Sequence, residues 1–143
     1  MAFKIFVDTN VFLDHLLQRG ENWKHAEEIF LLAEQQQIIL YTSSSNIINI
    51  TYVLESQKLP SAKIREAIRL ILSFTELADA NKKSIVEATY SDFKDLEDAI
   101  QYHTALSTKG IEYFVTSNVK DYKKSLPQLP VFLPKQFLSL LKK

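Results

Sequence analysis

A chain of 143 residues is the size of one domain and can bury a real core. Lysine plus arginine and aspartate plus glutamate both number 17, so the formal net charge is zero; that excludes a broad basic clamp on a duplex but leaves a local basic strip open. With no cysteine and only two glycines, Gly20 and Gly110, there is no disulfide framework, thiolate metal site, cysteine nucleophile or glycine-rich phosphate loop.

No apolar run approaches the ~20 residues of a membrane span, and the start lacks the basic-then-apolar pattern of a secretory signal. A soluble, cytoplasmic protein with no membrane partner is expected. Phe3-Lys4-Ile5-Phe6-Val7 is a short β-prone run that breaks off at Asp8-Thr9-Asn10, the pattern of a buried parallel strand. Ligands of open α/β sheets collect outside the carboxyl ends of the strands, which makes Asp8 a site candidate. The competing reading is that Asp8 or Thr9 merely caps the next helix.

Val11 to Gln18 reads as a short helix stopped by Arg19-Gly20. Asn22 caps a second helix, in which Trp23, Ala26, Ile29, Phe30 and Ala33 recur at helical spacing, and Gln35-Gln36-Gln37 ends it. Ile38 to Tyr41 is the second strand. Thr42, Ser43, Ser44 and Ser45 offer several caps for a third helix, from Asn46 to about Gln57. Pro60 and Ser61 open a fourth, with Ile64, Ala67, Ile68, Ile71 and Leu72 on its core face. A brief strand is expected near Phe74 to Leu77.

From Asn81 a helix carries Ile85, Val86 and Tyr90 inward. The next, Asp95 to Lys109, sets Leu96, Ala99, Ile100, His103 and Leu106 on one stripe and is ended by Gly110. Ile111 to Val115 is another apolar strand, broken by Thr116-Ser117-Asn118, and Lys120 to Ser125 is a single helical turn or loop. Val131-Phe132-Leu133 lies between prolines and is therefore an edge strand; Gln136 to Leu141 closes the chain as a helix. Strands alternating with helices, without repeat or linker, predict one α/β domain over residues 1–143 with a parallel sheet.

That topology gathers polar residues. In a parallel sheet Asp8 and the Asn118–Asp121 segment leave the same edge. Asp98, in the first turn of the helix leading back into the late strand, starts at that edge too, and Asn49 lies near it on the third helix. Carboxylates converging from remote segments cannot be an unpaired apolar core. Each has a modest alternative of its own: Asp95, Glu97 and Asp98 complement a helix macrodipole, while Asn118 and Asp121 are turn formers.

DTN at 8–10, DLEDAIQYHTAL at 95–106 and VTSNVKDY at 115–122 together resemble the PIN-domain family of metal-dependent nucleases. The likeness covers nearly the whole chain and is strongest to the branch with DTNVxLD at the start and T-x-N-x-x-D-[FY] near the end. It implies a three-layer α/β/α sandwich around a central parallel sheet of four to five strands. It also implies that Asp8, Asp98 and the acid or amide after the late strand hold Mg²⁺ or Mn²⁺ and cut single-stranded RNA, leaving a 5′-phosphate and a 3′-hydroxyl. Many small members are VapC-type toxins, which implies a cognate antitoxin and a homodimer. Two positions depart from the wider family: Asn49 stands for the acid of the third helix, and Asn118 for an aspartate, with Asp121 three residues on.

Mg²⁺ takes oxygen ligands and needs only one or two protein carboxylates beside water and phosphate. In this reading Asp8 and Asp98 are direct ligands and Asp121 is direct or water-mediated. Asn118 and Asn49 offer neutral oxygens or hold waters, which favours one tightly held ion. Thr9, Asn10, Thr116 and Ser117 orient the carboxylates. Glu97 is a candidate for orienting water, although it lies ~100° around the helix from Asp98. Lys120, Lys123 and Lys124 meet RNA phosphates or are plain solvated surface. Asp14 and Arg19 form a salt bridge or stand on the rim. His103 is expected as a satisfied core residue, His25 on a polar face, and His15 without a partner acid. A second reading keeps the fold and loses catalysis, leaving an RNA-binding or interaction module. A third, another α/β phosphotransfer domain, is disfavoured because Asp8-Thr9-Asn10 lacks a second aspartate.

Overall fold

The computed structural model describes residues 2–142. Its five strands are β1 (Phe3–Val7), β2 (Ile38–Thr42), β3 (Thr75–Leu77), β4 (Tyr113–Val115) and β5 (Val131–Phe132). They form one wholly parallel sheet in the order β3-β2-β1-β4-β5. The first strand of the chain is thus the central one, with Ile5 paired to Leu40 on one side and Tyr113 on the other. Strand alternation then divides its side chains. Ile5 and Val7 join one core with Leu40 and Val115, and Phe6 joins the other, stacked on Phe114 at 5.4 Å. Both faces are covered, so β1 reads as an almost unbroken apolar run.

The first face carries α1 (Thr9–Leu16), α2 (Trp23–Glu34), α3 (Ser44–Ser56), α4 (Ser61–Ser73) and α7 (Pro134–Leu141). The second carries α6 (Leu96–Ser107), backed by α5 (Lys82–Thr89). This is the expected three-layer α/β/α sandwich, and β5 is the expected edge strand. Among the described residues no helix is long and apolar enough to cross a membrane.

Three local departures bear on function. Helix α3 starts two residues before the expected Asn46, because the Ser43 hydroxyl accepts the Asn46 N–H at 3.2 Å and so caps the helix. The inward face of α5 is Ser84 and Ala88, while Ile85, Val86 and Tyr90, expected inside, are exposed. Ser84 can be buried because it is satisfied: it accepts the Asn81 N–H at 3.0 Å and donates to the Asn81 carbonyl at 2.9 Å. On α6 the inward face is Ala99, Tyr102 and Ala105, with Gln101 and Thr104 buried beside them, and Leu96 is half exposed. Helix α6 ends at Ser107; Gly110 lies beyond it at φ +90°, where a Cβ would come within 3.1 Å of the Lys4 side chain.

Candidate active site

The register that pairs Val7 with Val115 sets the carboxyl ends of β1 and β4 side by side. Asp8 N–H donates to the Val115 carbonyl at 3.0 Å and extends that pairing by one residue. Asp8 occupies the N-cap position of α1, yet its side chain makes no cap hydrogen bond. Its Oδ2 instead accepts the Thr116 hydroxyl at 2.8 Å, and the residue is only 5% exposed. Burial pushes the Asp8 pKa up, opposed by Thr116, Gln101 and the nearby backbone N–H groups of Thr9 and Asn10.

Asp98 sits in the first turn of α6, and its N–H donates at 3.0 Å to Asp95, the helix cap. Its carboxyl is pushed up to about 7, first by partial burial and then by the charges of Asp95, Asp8 and Asp121. The Tyr122 hydroxyl, which donates to Asp98 Oδ1 at 3.3 Å, pulls the other way. Burial and the same acids push the Tyr122 phenol far above its ordinary range, so it remains a neutral donor. The acids gathered by topology therefore do sense one another across the rim.

The third segment is a 3-10 turn, Val119–Tyr122. Asn118 N–H donates to Thr116 Oγ1 at 3.1 Å, and its side-chain amide donates to Asp121 Oδ2 at 2.8 Å, both residues being exposed. Asn49 donates to Glu97 at 2.9 Å, tying α3 to α6 on the outer rim. Two expected supports serve another acid. Ser117 donates to Asp14 Oδ2 at 2.5 Å, and the Asn10 side chain accepts from Arg19 at 3.4 Å. Arg19 pairs with Asp14 at 2.9 Å, which decides for the salt bridge there. Only the backbone of Asn10 bears on Asp8.

His103 is not the satisfied core residue expected. Its Nδ1 is buried without a hydrogen bond and stands 3.9 Å from Glu87. The His15 Nδ1 is also unpartnered, and burial lowers its pKa. Lys120, Lys123 and Lys124, with Lys94, Phe93 and the acids Asp92 and Asp95, wall a cleft of about 310 Å³ that reaches Asp121. None of these lysines is in a salt bridge among the described residues.

Four residues escaped the sequence reading. Asn46 is buried and donates to Gln101 Oε1 at 2.7 Å, to Thr42 Oγ1 at 3.0 Å and to the Val7 carbonyl at 3.4 Å. Gln101 in turn donates to the Tyr122 hydroxyl at 3.3 Å. Helical spacing held a signal for Gln101, since it lies three residues after Asp98 on the same side of α6. Asp79, just past β3, accepts from the Ser44 N–H and hydroxyl at 2.8 and 2.7 Å, which lowers its pKa and anchors the start of α3. No local spacing announces that contact.

The donor set can be tested against a divalent ion. Among the described residues no three histidine, cysteine or acidic side chains meet closely enough to hold a metal by themselves. A closed zinc site therefore does not fit. The rim offers two mutually repelling carboxylates, Asp8 and Asp98, with oxygen-bearing neighbours and, among the described residues, no base in a salt bridge to them. That does fit a hard cation such as Mg²⁺, which takes one or two carboxylates and keeps water.

An α/β/α sandwich with acids crowded at the carboxyl ends of β1 and β4 defines a class of acid-rimmed parallel-sheet domains. Residues 4–120 match the PIN domain family, and the chain belongs to it. It is 30% identical over 138 residues to Ribonuclease VapC1 of Aquifex aeolicus (strain VF5), covering 94% of this chain and 92% of that protein. Its fold is also similar to that of a chain in the crystal structure of VapBC2 from Rickettsia felis bound to a promoter DNA fragment. There the TM-score is 0.68 at 16% identity, over 92% of this chain and 98% of the other.

Proposed function

We propose that this PIN domain is a Mg²⁺- or Mn²⁺-dependent endoribonuclease and the toxin of a toxin–antitoxin pair, working in the cytoplasm. The observation that carries the reading is the gathering of Asp8, Asp98 and Asp121 where β1 and β4 end and α6 begins, with no basic side chain in a salt bridge to them among the described residues; burial and neighbouring acids raise the Asp98 carboxyl pKa. A cation at that point would relieve the repulsion. Asp8 and Asp98 would hold it, with Asp121 direct or through water and Asn118 offering a neutral oxygen. When bound, the ion would supply an activated water and a polarised phosphate. Thr116 fixes the Asp8 carboxylate, Tyr122 fixes that of Asp98, and the lysine-walled cleft beside Asp121 would take the flanking phosphates of the strand.

RNA as substrate is supported by the ribonuclease name of the Aquifex relative, and an antitoxin by the fold shared with the VapBC2 structure. The apolar side of α5, with Ile85, Val86 and Tyr90 exposed, supports a homodimer in which a second copy covers it. The test is cleavage of a mixed RNA pool with Mg²⁺ or Mn²⁺, expected for the native chain and lost in EDTA and in Asp98→Ala. Growth arrest on induction, relieved by the product of an adjacent reading frame, would establish the toxin role. One observation favours the inert-module reading: the Asn118 amide is turned onto Asp121 and occupies an oxygen that an ion would use. No cleavage, and no binding at millimolar metal, would decide for it.

A further inference from the structure

Behind the acidic rim lies a chain of side-chain hydrogen bonds whose direction is fixed at one end. The Val7 carbonyl can only accept, and the Asn46 amide faces it at 3.4 Å; Thr42 hydroxyl donates to the same carbonyl at 3.3 Å and so turns a lone pair to Asn46 at 3.0 Å. Asn46 must therefore point its NH₂ inward. That NH₂ also meets Gln101 at 2.7 Å, so the Gln101 atom there is its carbonyl oxygen. The Gln101 NH₂ is then turned the other way, toward the Tyr122 hydroxyl at 3.3 Å. Tyr122, receiving that hydrogen bond, donates its own O–H to Asp98 Oδ1 at 3.3 Å. Every member is buried up to Tyr122, so water does not offer an alternative partner.

We propose that Gln101 is a positioning residue: oriented by Asn46, its amide donates to the Tyr122 hydroxyl, which is thereby turned to donate to Asp98, and so holds that carboxylate in place beside Asp8 for one divalent ion. This rests on the metal-site reading above. Gln101 joins the buried Asn46 amide to Tyr122, whose hydroxyl donates to Asp98. An amide is suited to the task because it carries donor and acceptor on opposite sides and keeps both at any pH.

The proposal separates itself from simple charge counting. Asn46→Asp brings a negative charge near the site, which by charge alone would tighten metal binding. By hydrogen-bond direction it does the reverse. A carboxylate at 46 accepts, so Gln101 turns its NH₂ to it and its carbonyl to Tyr122, whose hydroxyl is then drawn away from Asp98. Gln101→Met keeps the length of the side chain and removes both donors. Gln57→Glu is the control, because Gln57 is exposed at the other end of α3 and the substitution adds one negative charge to the same helix away from the rim.

Mn²⁺ binding to the full-length chain is measured by calorimetry, with far-UV circular dichroism checking that each variant is folded. Expected is a loss of affinity of about tenfold or more in Gln101→Met and Asn46→Asp, and none in Gln57→Glu. In native protein the Gln101 side-chain ¹⁵N–¹H signals are expected to shift on Mg²⁺ addition, a readout that holds even where a variant fails to fold. Native affinity in folded Gln101→Met, tighter binding in Asn46→Asp, or Gln101 signals unmoved by bound Mg²⁺ would overturn the proposal while leaving the metal site standing. A native chain that binds no Mn²⁺ would bring down both.

Discussion

The two sides of the acidic rim are built on opposite plans. On the β1 side Asp8 is buried, its backbone locked to Val115 and its carboxylate to Thr116. On the side of the 3-10 turn, Asn118 and Asp121 are exposed and bonded mainly to each other. Burying an anion without a paired base costs stability. Holding a carboxylate rigid where an ion must bind favours activity. The β1 side thus carries the strain and the orientation, while the turn side contributes field and is free to adjust. Asp98 stands between them, half buried and sensing both.

The largest test of that contrast is Asp8→Asn. RNA cleavage should fall by about a thousandfold, the equivalent of the ~4 kcal/mol that several kcal/mol of metal-borne charge stabilisation can supply. The Tm in EDTA should rise, because asparagine keeps an acceptor for Thr116 and removes a buried charge. A fall in Tm would show that the carboxylate is structural and would erase the difference between the sides. Next comes Thr116→Val, which takes a donor from Asp8 and an acceptor from the Asn118 N–H at once. Denaturant titration should register about 1–3 kcal/mol of lost stability. Calorimetry should show Mn²⁺ affinity down 10- to 100-fold, as for other outer-shell partners.

A smaller effect comes from pH. Asp98 has its folded pKa raised from 3.8 to about 7, so between those values the folded chain binds more protons than the unfolded one. Stability of the metal-free protein should therefore fall as pH rises from about 4 to about 7, and Asp8 adds in the same direction. Thermal unfolding in EDTA across that window checks the sign. With Mg²⁺ present the decline should flatten, since the ion favours the ionised carboxylates. A metal-free Tm that climbs over the same range would mean that some paired base had been gained at the rim.

The sheet was legible because β1 and the late strand are apolar runs ended by polar residues, and a parallel sheet then places Asp8, Asp98 and Asp121 on one edge by connectivity alone. The supporting network was less so. Asn46 and Asn49 lie three apart on the same helix, and spacing does not tell that Asn46 meets buried partners at Val7, Thr42 and Gln101 while Asn49 reaches the exposed Glu97. Gln101 hides among apolar neighbours because polarity alone suggests exposure, whereas its burial depends on partners from α3 and the 3-10 turn. Helix α5 misled for the converse reason: its large apolar residues are outside, and a serine closed into its own capping box is inside. Spacing encodes which residues share a face; it does not encode which polar groups will find partners across the fold.

The smallest expected effect lies on the turn side, in Asp121→Asn. The residue is exposed, so equilibrium stability should stay within about 0.5 kcal/mol of native. Mn²⁺ affinity should drop less than tenfold, because an ion that keeps several waters can replace one rim oxygen with another. Asp121 is the last of the three acids acting on Asp98, and its neutralisation lets the Asp98 carboxyl ionise at slightly lower pH. The acid limb of the cleavage profile should accordingly move to lower pH, a displacement that loss of a direct ligand would not produce. If Asp121→Asn instead abolishes binding as thoroughly as Asp8→Asn, the turn carries a full ligand and the two sides of the rim are equal partners in holding the ion.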